Sequence, residues 1–368
     1  MPPQPEHPRR STIPAASRRI DEFDVLRGIS IVFVVYLHPY FTPWSNTPAW
    51  ELATLHLSHL VAQSAVPVFL FMSGFLSARD HSPNFAAFAR ERLVRLVLPV
   101  TLWMFVALAY RAWQTGALTS DLLWSFALFD IAGQFYFLLV LVTLTFAAYP
   151  LRYWSDRQLA WVTVVAFVLN LATVAWYSSQ TISGLFATLA YRNPLMWVFG
   201  FVFGIWLGRT RGNLEFGSRV TGGAAGAMGL VTAYYLWRGI GFGDYPVSYF
   251  GVTMFLFAAL GMVVYPAAIR VLSRHPVGNA LFQPARVIAP YAFAIYLVHQ
   301  PYFLGYLTHL LVASSPFSHD YLTLVLTDCV VGGGSALLAI LAINRVAPRF
   351  GIRFLGIERP RVRTTPAS

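Results

Sequence analysis

Apolar and polar positions alternate along this chain in long blocks. Ten hydrophobic stretches stand out, at about 25–43, 53–77, 94–113, 133–150, 159–177, 195–208, 221–238, 247–268, 287–310 and 321–345. Most approach 20 residues, the length an α-helix needs to cross about 30 Å of hydrocarbon. The sixth is short, and its start is blurred because 181–190 is also apolar. The pattern predicts an all-α fold: a polytopic membrane bundle of about ten transmembrane helices. It divides the chain into a polar tail at 1–22, a membrane domain at 23–347 and a basic tail at 348–368.

Arginine positions test that count. Twenty-three of the 26 basic residues fall on one side if the ten stretches are crossed in turn, leaving Arg111, Arg192 and Arg238 on the other. Positive residues accumulate in cytoplasmic loops, so both termini are expected in the cytoplasm. One missed crossing would scramble the segregation. The loops on the other face, about 44–52, 114–132, 178–194, 239–246 and 311–320, are too short to hold a folded domain. Chemistry must therefore come from the spans and their mouths. Trp44, Trp50 and Tyr245 in these loops suit interfacial anchoring.

Composition supports this picture. The chain is 57% hydrophobic and 11% charged, with mean hydropathy +0.58, whereas soluble domains carry about 25% charged residues. The net charge of +11 does not argue for nucleic acid, because most of the arginines lie in short loops between apolar spans. Every basic residue is Arg, which reads as compositional bias. The single cysteine, Cys329, excludes an internal disulfide. The first 20 residues are rich in Pro, Ser and Arg and lack an apolar run, so they read as a disordered cytoplasmic tail rather than a signal peptide.

The candidate chemistry begins at 23–38, FDVLRGISIVFVVYLH. Arg27 and His38 are eleven positions apart, which at about 100° per residue is roughly 20° past three full turns, so they share a helix face. They are separated by about 16 Å along the axis, half a hydrocarbon core. Charged groups in a span cost about 2.5–3.5 kcal/mol and are retained for a reason. A positive-inside flank for Arg27 and a cross-helix hydrogen bond for His38 would also account for them.

Further along, Ser73 and Gly74 close the second stretch, where close helix packing competes with a direct role for Ser73. Arg92 and Arg95 stand three apart, on one face, at the cytoplasmic entrance of the third. Paired guanidinium groups suit phosphate, although lipid headgroups and topology explain them as well. Gly133–Leu139, GQFYFLL, offers aromatics for a mouth or an interfacial belt. Tyr296 and His299 lie in the ninth stretch, and Asp328 is the only acid well inside an apolar segment, to be expected neutral or paired. Walker, dinucleotide, HExxH, GxSxG and Cys/His metal motifs are absent. The residues alone leave three classes open: an enzyme, a proton-coupled secondary transporter or lipid-linked sugar translocator, and a membrane scaffold. Transport is disfavoured by the lack of paired halves with matching broken spans.

Read in order, these motifs resemble the acyltransferase-3 family of integral membrane O-acyltransferases. Asp24, Arg27, Gly28 and His38 match its opening. Phe71, Ser73, Gly74 and Phe75 match its second-span ending. Arg92, Arg95 and Pro99 match its Arg-x-x-Arg element, and Tyr296, Leu297 and His299 its late Tyr-Leu-x-His element. Tyr136 stands where the family commonly has Trp. Between the fourth and ninth stretches little beyond apolar character matches. The resemblance implies a ten-span enzyme of the cytoplasmic (inner) membrane. It would transfer an acyl group, usually acetyl, from acyl-CoA as co-substrate to a hydroxyl of an envelope glycan, glycolipid or secreted small molecule, with no bound cofactor or metal. It implies His38 and His299 as catalytic residues and Arg27, Arg92 and Arg95 as acyl-CoA ligands. Asp24, Ser73, Tyr136, Tyr296 and Asp328 would support them. With about 20 residues after the tenth stretch, the chain resembles the stand-alone form.

Overall fold

The computed structural model describes residues 21–38, 48–243, 248–300 and 321–357. Among them every regular element is helical. The first half runs α1 (Asp21–Leu37), α2 (Ala49–Gln63), α3 (Ala65–Ser77), α4 (Phe85–Arg92), a π-helical stretch Leu93–Val97, α5 (Leu98–Thr115), α6 (Ser120–Ala127), α7 (Phe135–Ala147) and α8 (Asp156–Ser178). The second half runs α9 (Gly184–Arg192), α10 (Val198–Thr210), α11 (Ser218–Phe242), α12 (Val252–Leu272), α13 (Pro276–Leu281), α14 (Gln283–Ile288), α15 (Ala292–Val298), α16 (Tyr321–Val346) and α17 (Pro348–Phe354).

Among the described residues, seven helical segments are long and apolar enough to cross a membrane: Ala49–Ser77, Phe85–Thr115, Phe135–Tyr153, Asp156–Ser178, Val252–Leu272, Pro276–Val298 and Val325–Val346. Of the other three predicted spans, the sixth and seventh also fall on helices, and so does the first up to Leu37. However, α1 has 17 residues, α10 has 13, and α11 is long but glycine-rich. The protein is a multi-pass membrane protein by this inventory.

Local sequence explains where helices start and break. Ser155 and Gln158 form a reciprocal capping box at the head of α8, and Asn84 caps α4 through the Ala87 N–H. The second span divides at Ser64 because Pro67 has no N–H to return to the Gln63 carbonyl. The Ser64 hydroxyl instead meets Val61 O at 2.6 Å and Tyr265 Oη at 3.0 Å. The apolar stretch at 181–190 is a separate helix, α9, rather than the start of the sixth span.

The centre of the bundle is the α3–α10 contact. Gly200, Gly204 and Gly208 recur every fourth residue, lining one face of α10. A side chain on Gly204 would collide with Phe71 O, and one on Gly74 with Phe201 O. The two backbones therefore touch, as small residues permit between membrane helices. Gly28 brings α1 against the Ala285 carbonyl of α14 in the same way. Ion pairs also hold the head of α1: Arg286 of α14 meets Asp21 at 2.7 Å, and Arg270 of α12 meets Glu22 at 2.9 Å.

The loops after α5 and α8 are structured. Arg192, counted above as a stray cation, donates to Leu128 O, Phe129 O (3.0 Å), Thr188 O (2.6 Å) and the Asp130 carboxylate (2.8 Å). It clamps a turn in which Phe129 is held at φ 58°, a region L-residues rarely adopt.

Candidate active site

His38 follows directly on α1, and His299 directly on α15. The fold brings their rings to 4.9 Å between centroids, with 49° between the planes. His38 is half-buried and His299 fully buried. The His299 tautomer follows from its neighbours. Nδ1 lies 3.0 Å from Ile295 O and 2.9 Å from Tyr296 O. Carbonyl oxygens only accept, so Nδ1 carries the proton and Nε2 presents a lone pair. That Nε2 is buried and has no hydrogen-bond partner among the described residues.

Tyr296 and Gln134 tie this element to the head of α7. Tyr296 Oη donates to Gln134 O, and Gln134 Nε2 donates to Gln300 O at 2.9 Å. The Tyr296 ring lies 5.9 Å from His299 and 5.4 Å from Phe137. Tyr136, on the same helix, packs at 5.2 Å from Tyr191 and 5.8 Å from Trp197, whose ring lies 5.0 Å from Tyr249. It is part of an aromatic cluster that fixes α7 against α9 and the head of α10.

The predicted phosphate ligands take separate places. The π-helical stretch widens the turn between Arg92 and Arg95, and the two side chains have different partners. Arg92 pairs with Asp80 at 2.6 Å and covers the Phe88 ring. Arg95 is 75% exposed and pairs with Glu91 at 2.9 Å. Asp80 also accepts from Ser82 N (2.7 Å) and Oγ (2.5 Å), while its backbone oxygen accepts from Arg152 Nη2 at 2.9 Å. Burial works against the Asp80 carboxylate, but the Ser82 hydrogen bonds and the charges of Arg92 and Arg152 outweigh it, holding the carboxyl below its usual range. Arg27 is half-buried on α1, and the buried Asp24 lends its charge to Arg286. Ser73 is half-buried beside the helix contact of Gly74. The Asp328 side chain lies outside the described residues, though its backbone is part of α16.

Residues 20–344 match the profile of the acyltransferase-3 family, described as an acyltransferase domain. The chain belongs to the acyltransferase-3 family. It is therefore a membrane acyltransferase. No curated protein and no solved structure matches it. The acyltransferase-3 match takes in both histidines, all three predicted arginines and the whole α3–α10 contact.

Three residues of this acyltransferase-3 domain escaped the sequence reading. Asp80 and Arg152 look like ordinary loop charges until the fold places them around Arg92. Gln134 was passed over among the aromatics of GQFYFLL. Its polar side chain at the head of an apolar run was the available signal. Among the described residues, no three His, Cys, Asp or Glu side chains gather as metal ligands.

Proposed function

We propose that this acyltransferase moves an acyl group, with acetyl the leading choice, from cytoplasmic acyl-CoA to a hydroxyl of an envelope glycan, a glycolipid or a secondary metabolite. In this reading the chain crosses the inner membrane ten times with both termini in the cytoplasm. The observation that carries it is the His38–His299 pair: two rings in contact, the second buried with its lone pair fixed.

His38 takes the proton of the acceptor hydroxyl as its oxygen attacks the thioester carbonyl. The remaining His38 N–H turns to His299 Nε2, whose unmet lone pair stabilises the imidazolium. Collapse of the tetrahedral adduct forms the ester and expels the CoA thiolate, which takes the proton from His38. Arg27, Arg92 and Arg95 attract the phosphates of CoA. Arg27 and His38 lie about 16 Å apart along the helix, a distance an extended pantetheine arm can span.

The test uses purified protein and acetyl-labelled acetyl-CoA, with native membrane extract as the acceptor source. Thioester loss and label transfer should vanish in His38→Ala while insertion and elution in detergent stay normal. Wild-type transfer by that variant refutes the assignment. Flux of a sugar without label transfer would point to a transporter instead.

A further inference from the structure

Two buried acceptor atoms at this centre have no hydrogen-bond partner among the described residues. One is His299 Nε2, with the His38 ring 4.9 Å away to supply a donor. The other is Gln134 Oε1, in a side chain that is 2% exposed. The orientation of the Gln134 amide is fixed by its surroundings. Gln300 O only accepts, so the amide edge 2.9 Å from it must be the NH2, and Oε1 occupies the opposite edge. Gln300 is the residue after His299, and Tyr296 Oη bonds the Gln134 backbone oxygen. Gln134 is thus bolted at two points to the segment that carries the buried histidine.

A buried carbonyl oxygen without a donor costs about 1–3 kcal/mol. No described protein group supplies that donor. A ligand that completes the site must bring an N–H or O–H, which excludes phosphate and carboxylate at this position. We propose that Gln134 Oε1 accepts the amide N–H of the pantetheine arm of acyl-CoA, the amide joined to the thioester sulfur by an ethylene link. This rests on the acyl-CoA reading above and adds a binding residue to it. That amide is only an ethylene link from the sulfur, and Gln134 is hydrogen-bonded to the residue next to His299. A ligand amide held by a group next to Gln300 leaves the thioester beside the histidines. The hydrogen bond fixes the reacting carbonyl without consuming either imidazole.

The experiment measures binding to detergent-purified protein by competition for labelled acetyl-CoA. Three probes are used: acetyl-CoA, an analogue in which a methylene replaces the N–H nearest sulfur, and 3′-phospho-ADP, which keeps phosphates but lacks the arm. The wild type should bind the methylene analogue about tenfold more weakly than acetyl-CoA, the value of one buried hydrogen bond. Gln134→Met should bind acetyl-CoA about tenfold more weakly, bind 3′-phospho-ADP as before, and no longer discriminate against the analogue. Gln134→Glu keeps a carbonyl acceptor when protonated and should restore most of the affinity. Equal wild-type affinity for acetyl-CoA and the analogue overturns the proposal, and needs no variant to fold. Equal loss of all three probes in Gln134→Met also overturns it. Failure of the wild type to bind acetyl-CoA or 3′-phospho-ADP defeats the acyl-CoA reading itself.

Discussion

A methyl group added to the glycine face of α10 should damage this protein more than most changes in its charged loops. At Gly208 a built Cβ would sit 2.7 Å from Phe75 O and 3.1 Å from Ala78 Cβ. A tolerated carbon–oxygen contact is about 3.3–3.6 Å. Gly208→Ala therefore needs α3 and α10 to part by roughly 0.7 Å. Gly204→Ala needs more, because its Cβ would come closer to Phe71 O than the Gly208 Cβ comes to Phe75 O, and would also lie 2.8 Å from Phe75 N. Overpacking of this kind costs about 1–3 kcal/mol, and separation also loosens the dispersion contacts along the seam. The upper figure corresponds to roughly a hundredfold in the unfolding equilibrium. Gly223→Ala on α11 is the control: nothing lies within 4 Å of its Cβ position, so only helix propensity changes, in favour of Ala by about 0.5–1 kcal/mol. Unfolding in mixed detergent–SDS micelles, followed by tryptophan fluorescence, should rank Gly223→Ala above wild type, then Gly208→Ala, then Gly204→Ala. If Gly204→Ala unfolds with the wild type, the two backbones do not touch as described.

Other outcomes follow from the charged groups. Asp80→Asn should lower stability by about 2 kcal/mol through the lost charge-assisted bond to Arg92. Because the folded-state pKa of Asp80 is depressed, its contribution is fully present above the unfolded carboxylate value of about 3.9 and is lost as pH falls through the folded value. The gap between wild type and Asp80→Asn in thermal scans should stay constant from about pH 7 to 5 and close only below about 4; a gap that closes by about pH 6 contradicts the pairing. Arg192→Lys should cost about 2–3 kcal/mol, since one ammonium cannot fork to four acceptors. Limited proteolysis at the Phe129 turn would report it, and unchanged cleavage would remove the clamp role. Arg95→Gln should leave thermal stability unaltered, because the Arg95–Glu91 pair is a largely exposed helix-surface pair.

The helical class was legible because membrane-length apolar runs admit few other structures. His38 and His299 were legible as individuals, since an imidazole in an apolar run is costly wherever it points. That they face one another was not, because periodicity assigns a face to each helix without saying which helix lies opposite. The same limit hid the Asp80–Arg92 pair. Arg92 and Arg95 share a face only on a regular α-helix, and the π-helical stretch between them has no clear signature in RLVRLV. Gly200, Gly204 and Gly208 read as general apolar character although their four-residue spacing was present. Arg192 read as a topological exception, whereas its side chain answers carbonyls of a strained turn. Gln134 is the clearest omission: a neutral polar side chain carries no charge pattern, and only its burial reveals it.

The break at Ser64 bears on how the protein is made. The Ala49–Ser77 span is the most enclosed of the seven, with 67% of its apolar window buried. At its middle sit the Gln63 carbonyl, which Pro67 cannot serve, and Gln63 Oε1, buried without a hydrogen-bond partner among the described residues. Lipid offers such groups nothing. The neighbours that shield this segment, α10 and the Tyr265 hydroxyl of α12, are synthesised much later. The second span therefore leaves the ribosome before its shelter exists. Its early life belongs in the lateral gate of the insertion machinery or beside a membrane chaperone, and its release should wait for α12.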